Sequence, residues 1–436
     1  MLTHALGRYA PLLRLILRVV AVLLASAAGV AVIGLLLIRV WVWPTLPQWK
    51  EEFLSSAQRT LAQHELLLDI GAFSADWEHW YRPRVQLERV AVTRADGQRV
   101  GSVERIEATL GWRSLASLWH WQPVFSEVRL SNPVVMAERT ALGDVRIAGL
   151  PVGASSDDPS ALNWLLRQGR VRLDGGQFEW RDGLRDRRAQ LSGITLAMAN
   201  FGHAHAWALK ATPPSSLGEG FVLQGEFQHS WWSDPSAIHE WKGEAFVQFD
   251  RVNLSELFGF VHLPAQAPLR VNSGQGAMRA WVQVRANALE DLTVDLDLTD
   301  ASLQWGVVRR PLTLQQLQGR VQTRITPQAQ AITLTGLTLK SSQLAAPATI
   351  ASAQMRLEQS GPSDPQRAEI SAKQIDLLAA MWLTEHLPLP AAWKGALTDL
   401  QPRGQLSNLK MNWQESANAL TQFRLESEFA QLALAA

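Results

Sequence analysis

The stretch "DLTVDLDLTD", residues 291–300, decides how this chain folds. Leu292, Val294, Leu296 and Leu298 alternate with Thr293, Asp295, Asp297 and Thr299. Successive side chains of a strand point to opposite faces, so the segment predicts a β-strand with one apolar and one wet face. The same period of two, complete or nearly so, recurs in "RVQLERVAV" (84–92), "FVLQGEF" (221–227), "WVQVRA" (281–286) and "AITLTGLTLK" (331–340). Gly, Asn and Asp-Gly signals separate the runs, which predicts a mainly β chain. Two helical islands interrupt it. "DDPSALNWLLRQG" (157–169) offers Asp157 or Asp158 as N-cap and Pro159 in the first turn, and "NLSELFGFVHLP" (253–264) is the second. An apolar strand face must be buried against something. Alternation alone does not say whether that is a second sheet or something other than protein.

Composition narrows the classes. With 47% hydrophobic and 19% charged residues among 436, the chain can build a sizeable core. Lys plus Arg number 41 against 40 Asp plus Glu, a balance that argues against a nucleic-acid surface. There is no cysteine, which excludes disulfides, thiolate metal sites and a cysteine nucleophile. Nineteen tryptophans stand against two tyrosines, and most are expected to pack in strands.

"VVAVLLASAAGVAVIGLLLI", Val19 to Ile38, carries no charge. Twenty helical residues span about 30 Å, the thickness of a bilayer core. "RVWVWP" follows, with Trp41 and Trp43 as membrane-interface residues and Pro44 ending the helix. Arg8, Arg14 and Arg18 precede the span, while Arg39 and Lys50 on the far side are soon followed by Glu51 and Glu52. The positive-inside rule then puts residues 1–18 in the cytoplasm, a single-pass anchor at 19–43, and the bulk in the periplasm of a bacterium with two membranes. Residues 44–70 are expected to form a linker and an amphipathic helix, with Trp49, Phe53, Leu54, Ala57 and Leu61 at helical spacing over 47–70. That helix suits a cap on the following sheet, the membrane surface, or an ordinary core.

The β region repeats. "HLP" at 262–264 recurs at 386–388, "SDP" at 233–235 recurs at 363–365, and "ANAL" at 286–289 recurs at 417–420. "GQFEW" (176–180) and "ASLQW" (301–305) share a terminal Trp, and the four offsets lie between 124 and 131. Ordered matches at one offset predict a repeated unit. The division expected is an N-terminal β unit at 71–170, containing the helix 157–169, a first repeat at 171–300 and a second at 301–436. The last stops inside a further unit without a polar cap, as the N-terminal part of a longer chain would.

Two further stretches carry a resemblance. "SLWHWQPVFSEVRLSNPVVMAER" (117–139) resembles the strand–Pro–strand signature near the start of the AsmA-like proteins, and of their YhdP type most closely. "LNWLLRQGRVRLDGGQFEWRD" (162–182) resembles their helix–turn–strand stretch ending Trp-x-Asp. The resemblance implies a bridge-like lipid transfer protein. Its antiparallel strands would form an elongated, curved groove with an apolar floor, carrying phospholipid between inner and outer membrane. It implies no catalytic residue and no cofactor. A scaffold for assembly of outer-membrane proteins, using exposed strand edges, is the other role known among distant relatives.

In an open groove the apolar face is covered by acyl chains, at roughly 25 cal/mol per Å². In a string of sandwich domains it is covered by a second sheet. The repeat, the membrane tether and the regular polar complement of 291–300 favour the groove. Its expected lining is Leu292, Val294, Leu296, Leu298, Ile332, Leu334, Leu337, Leu339, Phe221, Leu223, Phe227, Val282 and Val284. The expected partners are phospholipids, the inner membrane, and an outer-membrane or periplasmic protein reached through a further C-terminal part. Nucleic acid is not expected. No G-x-S-x-G, H-E-x-x-H or phosphate-binding Gly loop is present, so no enzyme is expected. "GHAHAW" puts His203 and His205 on one strand face without a third ligand nearby, so no metal site is expected. "RDGLRDRR" (181–188) reads as a solvated basic turn.

Overall fold

The computed structural model describes residues 50–79, 82–111, 124–152, 160–234, 237–260, 269–305, 310–358, 366–386, 401–416 and 419–433, with isolated positions among 26–44 and at 114. Among the described residues no helix is long and apolar enough to cross a membrane. Most of the run 19–38 lies outside the described residues, as do Trp41, Trp43 and Asp157 and Asp158.

Helix α1 (Lys50–Ala62) leads into strand β1 (Leu66–His79). The helix expected over 47–70 therefore stops short, and "LLLDI" (66–70) is strand. Glu65 takes a left-handed φ of 59° between the two elements. The Gln58 side chain then holds the strand's backbone: its Nε2 donates to Leu66 O (3.2 Å) and its Oε1 accepts from Leu68 N (2.8 Å). Leu61 packs on Leu66, Val92, Val100 and Met136, so α1 caps the first edge of the sheet.

Every described strand belongs to one 20-stranded sheet. Strands β1, β2 (Arg82–Arg94) and β3 (Arg99–Thr109) form a meander, which β4 (Glu127–Ser131) and β5 (Val134–Arg139) join. β4 and β5 behave as one strand broken at Asn132 and Pro133, and both pair in parallel with β8 (Arg170–Asp182) at the same register. This is the stretch that carried the strand–Pro–strand resemblance. The crossover contains the small hairpin β6 (Val145–Ile147) and β7 (Leu150–Val152) and helix α2 (Ser160–Arg167). At the parallel junction Arg139 Nε donates to Asp182 Oδ1 at 2.9 Å, and Asp182 is buried. That guanidinium holds the Asp182 carboxyl below the usual carboxylate range.

From β8 onward each described strand pairs antiparallel with the next. The chain runs through β9 (Arg187–Phe201), β10 (Ala204–Thr212), β11 (Phe221–Gln228), β12 (Lys242–Asn253), β13 (Leu269–Arg285), β14 (Ala288–Trp305), β15 (Leu312–Ile325), β16 (Ala329–Lys340), β17 (Ala348–Glu358), β18 (Gln366–Asp376), β19 (Arg403–Ser416) and β20 (Ala419–Ala433). Helix α3 (Leu254–Phe260) follows β12 and helix α4 (Leu377–Thr384) follows β18. Strand, helix and long hairpin thus recur six strands apart, although the motifs "HLP" and "SDP" themselves fall largely outside the described residues.

The two helices fold back over one margin of the sheet. Arg185 Nη1 donates to Gly259 O (2.9 Å), tying α3 to the β8–β9 turn. Asp376 caps α4 by accepting from Ala379 N (3.0 Å), and Trp382 Nε1 donates to Gln343 Oε1 (2.7 Å) in the β16–β17 loop. Beneath them lies the main core, in which Val252, Leu254, Leu298, Leu312, Leu314, Leu337 and Leu339 are buried, with Leu257, Phe258, Trp382 and Leu383 packed on it.

Candidate functional site: a continuous apolar band

Directly paired residues of neighbouring strands share a face, so the register of each hairpin shows what runs across the sheet. One row is apolar from end to end. It passes from Phe73 through Leu87, Ile106, Leu130, Leu173, Leu196, Leu209 and Leu223. It continues through Val247, Ala280, Val294, Val321, Leu334, Ala353 and Ala372 to Leu409. Sixteen strands each contribute one residue, and fifteen inter-strand steps of about 4.8 Å make the row about 72 Å long.

A second row lies two residues along each strand on the same face. It runs Ala75, Val85, Ala108, Val128, Val171, Met198, Trp207, Gly225 and Ala245, then Val282, Leu292, Thr323, Ile332, Met355, Ile370, Met411 and Leu425. Thr323 is its one polar member. The row between these two on the opposite face contrasts sharply: Ser74, Gln86, Glu107, Arg129 and Arg172 at one end, Thr293, Gln322, Thr333, Gln354, Ser371 and Lys410 at the other. Its apolar members are Ala197, Ala208 and the pair Phe246 and Trp281, whose ring centroids lie 5.2 Å apart.

The alternation of 291–300 is resolved by this register. Thr293, Asp295 and Asp297 lie on the polar face, where Arg320 Nε donates to Asp295 Oδ1 (2.6 Å) and Arg324 Nε to Asp291 Oδ2 (3.1 Å). The Arg320 guanidinium holds the Asp295 carboxyl below its ordinary range. Leu292, Val294 and Leu296 lie on the apolar face and are half-buried. No second sheet among the described residues covers that face, since all described strands belong to one sheet. Most of the first row is correspondingly half-buried, from Phe73 and Leu87 to Val321 and Leu334.

The thirteen lining residues expected from sequence divide in two. Leu223, Phe227, Val282, Val284, Leu292, Val294, Leu296, Ile332 and Leu334 are half-buried, with Leu223, Leu296 and Leu334 packing against the margin of the main core. Leu298, Leu337, Leu339 and Phe221 are 1%, 8%, 4% and 9% exposed, and belong to the core at the helix-bearing margin. For these four the expectation of an open lining is corrected: the covering helices turn that edge of the face into ordinary packed interior.

At the opposite margin the apolar face ends in imidazole. His205 pairs with Phe227 across β10 and β11, next to Trp207 of the second row, and is 3% exposed. His229, just past β11, stacks on it with centroids 5.2 Å apart, and Trp241 stacks on His205 at 4.8 Å. Sequence reading placed His203 and His205 together but missed His229, 24 positions along, which the β10–β11 hairpin brings back. Among the described residues no group of three His, Cys, Asp or Glu is arranged to hold a metal ion.

Comparison with known proteins bears on the whole chain. A search of curated proteins finds no match. The sequence model of the YhdP family, described as YhdP protein, matches residues 1–436. A match over the full length shows that this chain belongs to the YhdP family.

Proposed function

We propose that the chain is a lipid carrier anchored in the inner membrane of a two-membrane bacterium. Its periplasmic sheet curls into a groove, and phospholipid acyl chains lie along the apolar band between inner and outer membrane. The observation that carries this reading is the unbroken row from Phe73 to Leu409, half-buried for most of its length and, among the described residues, without a second sheet over it. A packed core needs apolar residues that interdigitate with a partner layer. An acyl chain needs an apolar surface that continues from strand to strand, which the register supplies. At roughly 25 cal/mol per Å², sliding along such a surface exchanges like for like at each step.

The carrier works without chemistry on its cargo, so it needs neither catalytic residues nor a cofactor. Family membership supports the reading, and the uncharged run at 19–38 with its basic flank supports the anchor and its orientation. The test is lipid mass spectrometry on the full chain purified in detergent. Phospholipid retained in molar proportion, and lost when the row is interrupted, is the expected result. Protein free of bound lipid but bound to outer-membrane barrels would favour the scaffold role instead.

A further inference from the structure

The His205 cluster has a feature that packing alone leaves unexplained. Asn200 donates its amide N–H groups to Gln168 O (2.8 Å) and Leu165 O (3.4 Å), so its Oδ1 is the acceptor for His205 Nδ1 at 2.7 Å. His229 Nδ1 lies 2.7 Å from the carbonyl of Ser230, which only accepts. Both rings are therefore fixed in the tautomer with the proton on Nδ1, and both Nε2 atoms carry lone pairs. Among the described residues those buried Nε2 atoms have no hydrogen-bond partner, and neither has the buried Nδ1 of His203. Unpartnered buried acceptors are uncommon and costly.

We propose that the stack of His205, His229 and Trp241 is a proton-sensitive latch at the hairpin margin, closed while the His205 imidazole is neutral and opened when it takes up a proton. Protonation would put a cation in a buried ring that stacks on His229 at 5.2 Å and on Trp241 at 4.8 Å. The groups that couple to His205 are His229 and His203, all of one sign when charged. The nearby Glu240 is exposed and lies 3.8 Å from His239. The charged ring must then reach water, which breaks the stack on Trp241 and uncovers Phe227 and Trp207 at the end of the apolar band. Burial, helped by the two neighbouring histidines, lowers His205 from 6.5 to about 4, so the latch stays shut near neutrality and yields over the range below it. On the lipid-carrier reading, which this inference extends, acidification would open a lateral exit for cargo. The latch itself stands on the stack's geometry and is tested without lipid.

The experiment is amide exchange of the full chain in detergent, with rates divided by the intrinsic rate at each pH. Peptides over 203–207 and 237–241 should lose about tenfold or more of their protection between about pH 7.5 and pH 4.5, while the β16–β17 hairpin keeps its own. His205→Phe with His229→Phe keeps flat rings and takes up no proton, so protection there should become independent of pH. His229→Gln, the milder change, should move the loss of protection to higher pH. Protection that persists to about pH 4.5 in the parent, or a transition unmoved in both variants, overturns the latch. Saturable protection of the same peptides by Zn²⁺ at about pH 7.5 would also overturn it, by making the lone pairs a metal site.

Discussion

Val294→Asp and Leu298→Asp place the same charge four residues apart on one strand face, yet the structure separates their outcomes. Val294 is half-buried in the open row, between Ala280 and Val321. Fully burying a valine is worth about 1.5 kcal/mol, so losing half of that costs about 1 kcal/mol, and the carboxylate keeps its water. Leu298 is 1% exposed beneath the helices. There the lost side chain costs about 2–5 kcal/mol and the buried charge several more, comparable with the whole stability of an ordinary domain. The assay is thermal melting of both variants, together with phospholipid crosslinking from a photoreactive residue at Leu334, two strands from Val294. We expect Val294→Asp to fold and to lose crosslinking by well over tenfold, because acyl chains passing the carboxylate would strip it of water at a cost of several kcal/mol. Leu298→Asp should not accumulate as folded protein. The reasoning fails if both variants unfold alike, which would make the row a packed core, or if Val294→Asp folds and crosslinks as the parent does.

Three further outcomes follow from the geometry. Asp182→Ala strands the Arg139 guanidinium at the parallel junction, and should destabilise by about 3 kcal/mol or more in denaturant melts. Because the folded Asp182 pKa is depressed, the parent's advantage over this variant should be full above about pH 4 and fade as the pH falls below it. Gly276→Ala should cost about 2 kcal/mol or more, since Gly276 has φ +149° and a Cβ there would run into the Asp297 carbonyl oxygen. The chain has no native cysteine, so Thr3→Cys should resist a membrane-impermeant thiol reagent in cells with a permeabilised outer membrane, and Ser216→Cys should react. The reverse pattern would invert the proposed topology.

The β class was legible because alternation is a local property: Leu292, Val294 and Leu296 face one way whatever they touch. What they touch was not local. "NLSELFGF" shows a helix in the sequence, but nothing in it says that it folds back over the core of Leu298, Leu337 and Leu339. The helix expected over 47–70 overran because three consecutive leucines fit a helix and a strand equally well. The decision lies in Gln58 reaching the backbone of Leu66 and Leu68. The parallel junction was hidden for a similar reason, since β4 and β8 pair across 43 positions and an intervening hairpin and helix. Twenty strands form the described sheet, and hairpins such as β13–β14 use strands of 17 and 18 residues. The continuous row itself could not be read in advance. It depends on every hairpin register at once, and a slip of one residue anywhere would send a strand's leucines to the polar face.

Phospholipid crosslinking scanned across the sheet tests the central claim most directly. A photoreactive residue is placed in turn at Leu87, Leu196, Leu223 and Leu334 on the row, and at their strand neighbours Gln86, Ala197, Gln224 and Thr333 on the other face. The account predicts lipid adducts at all four row positions and none at the four neighbours. Equal labelling of both faces, or adducts confined to one end of the row, would contradict a continuous lipid path along this sheet.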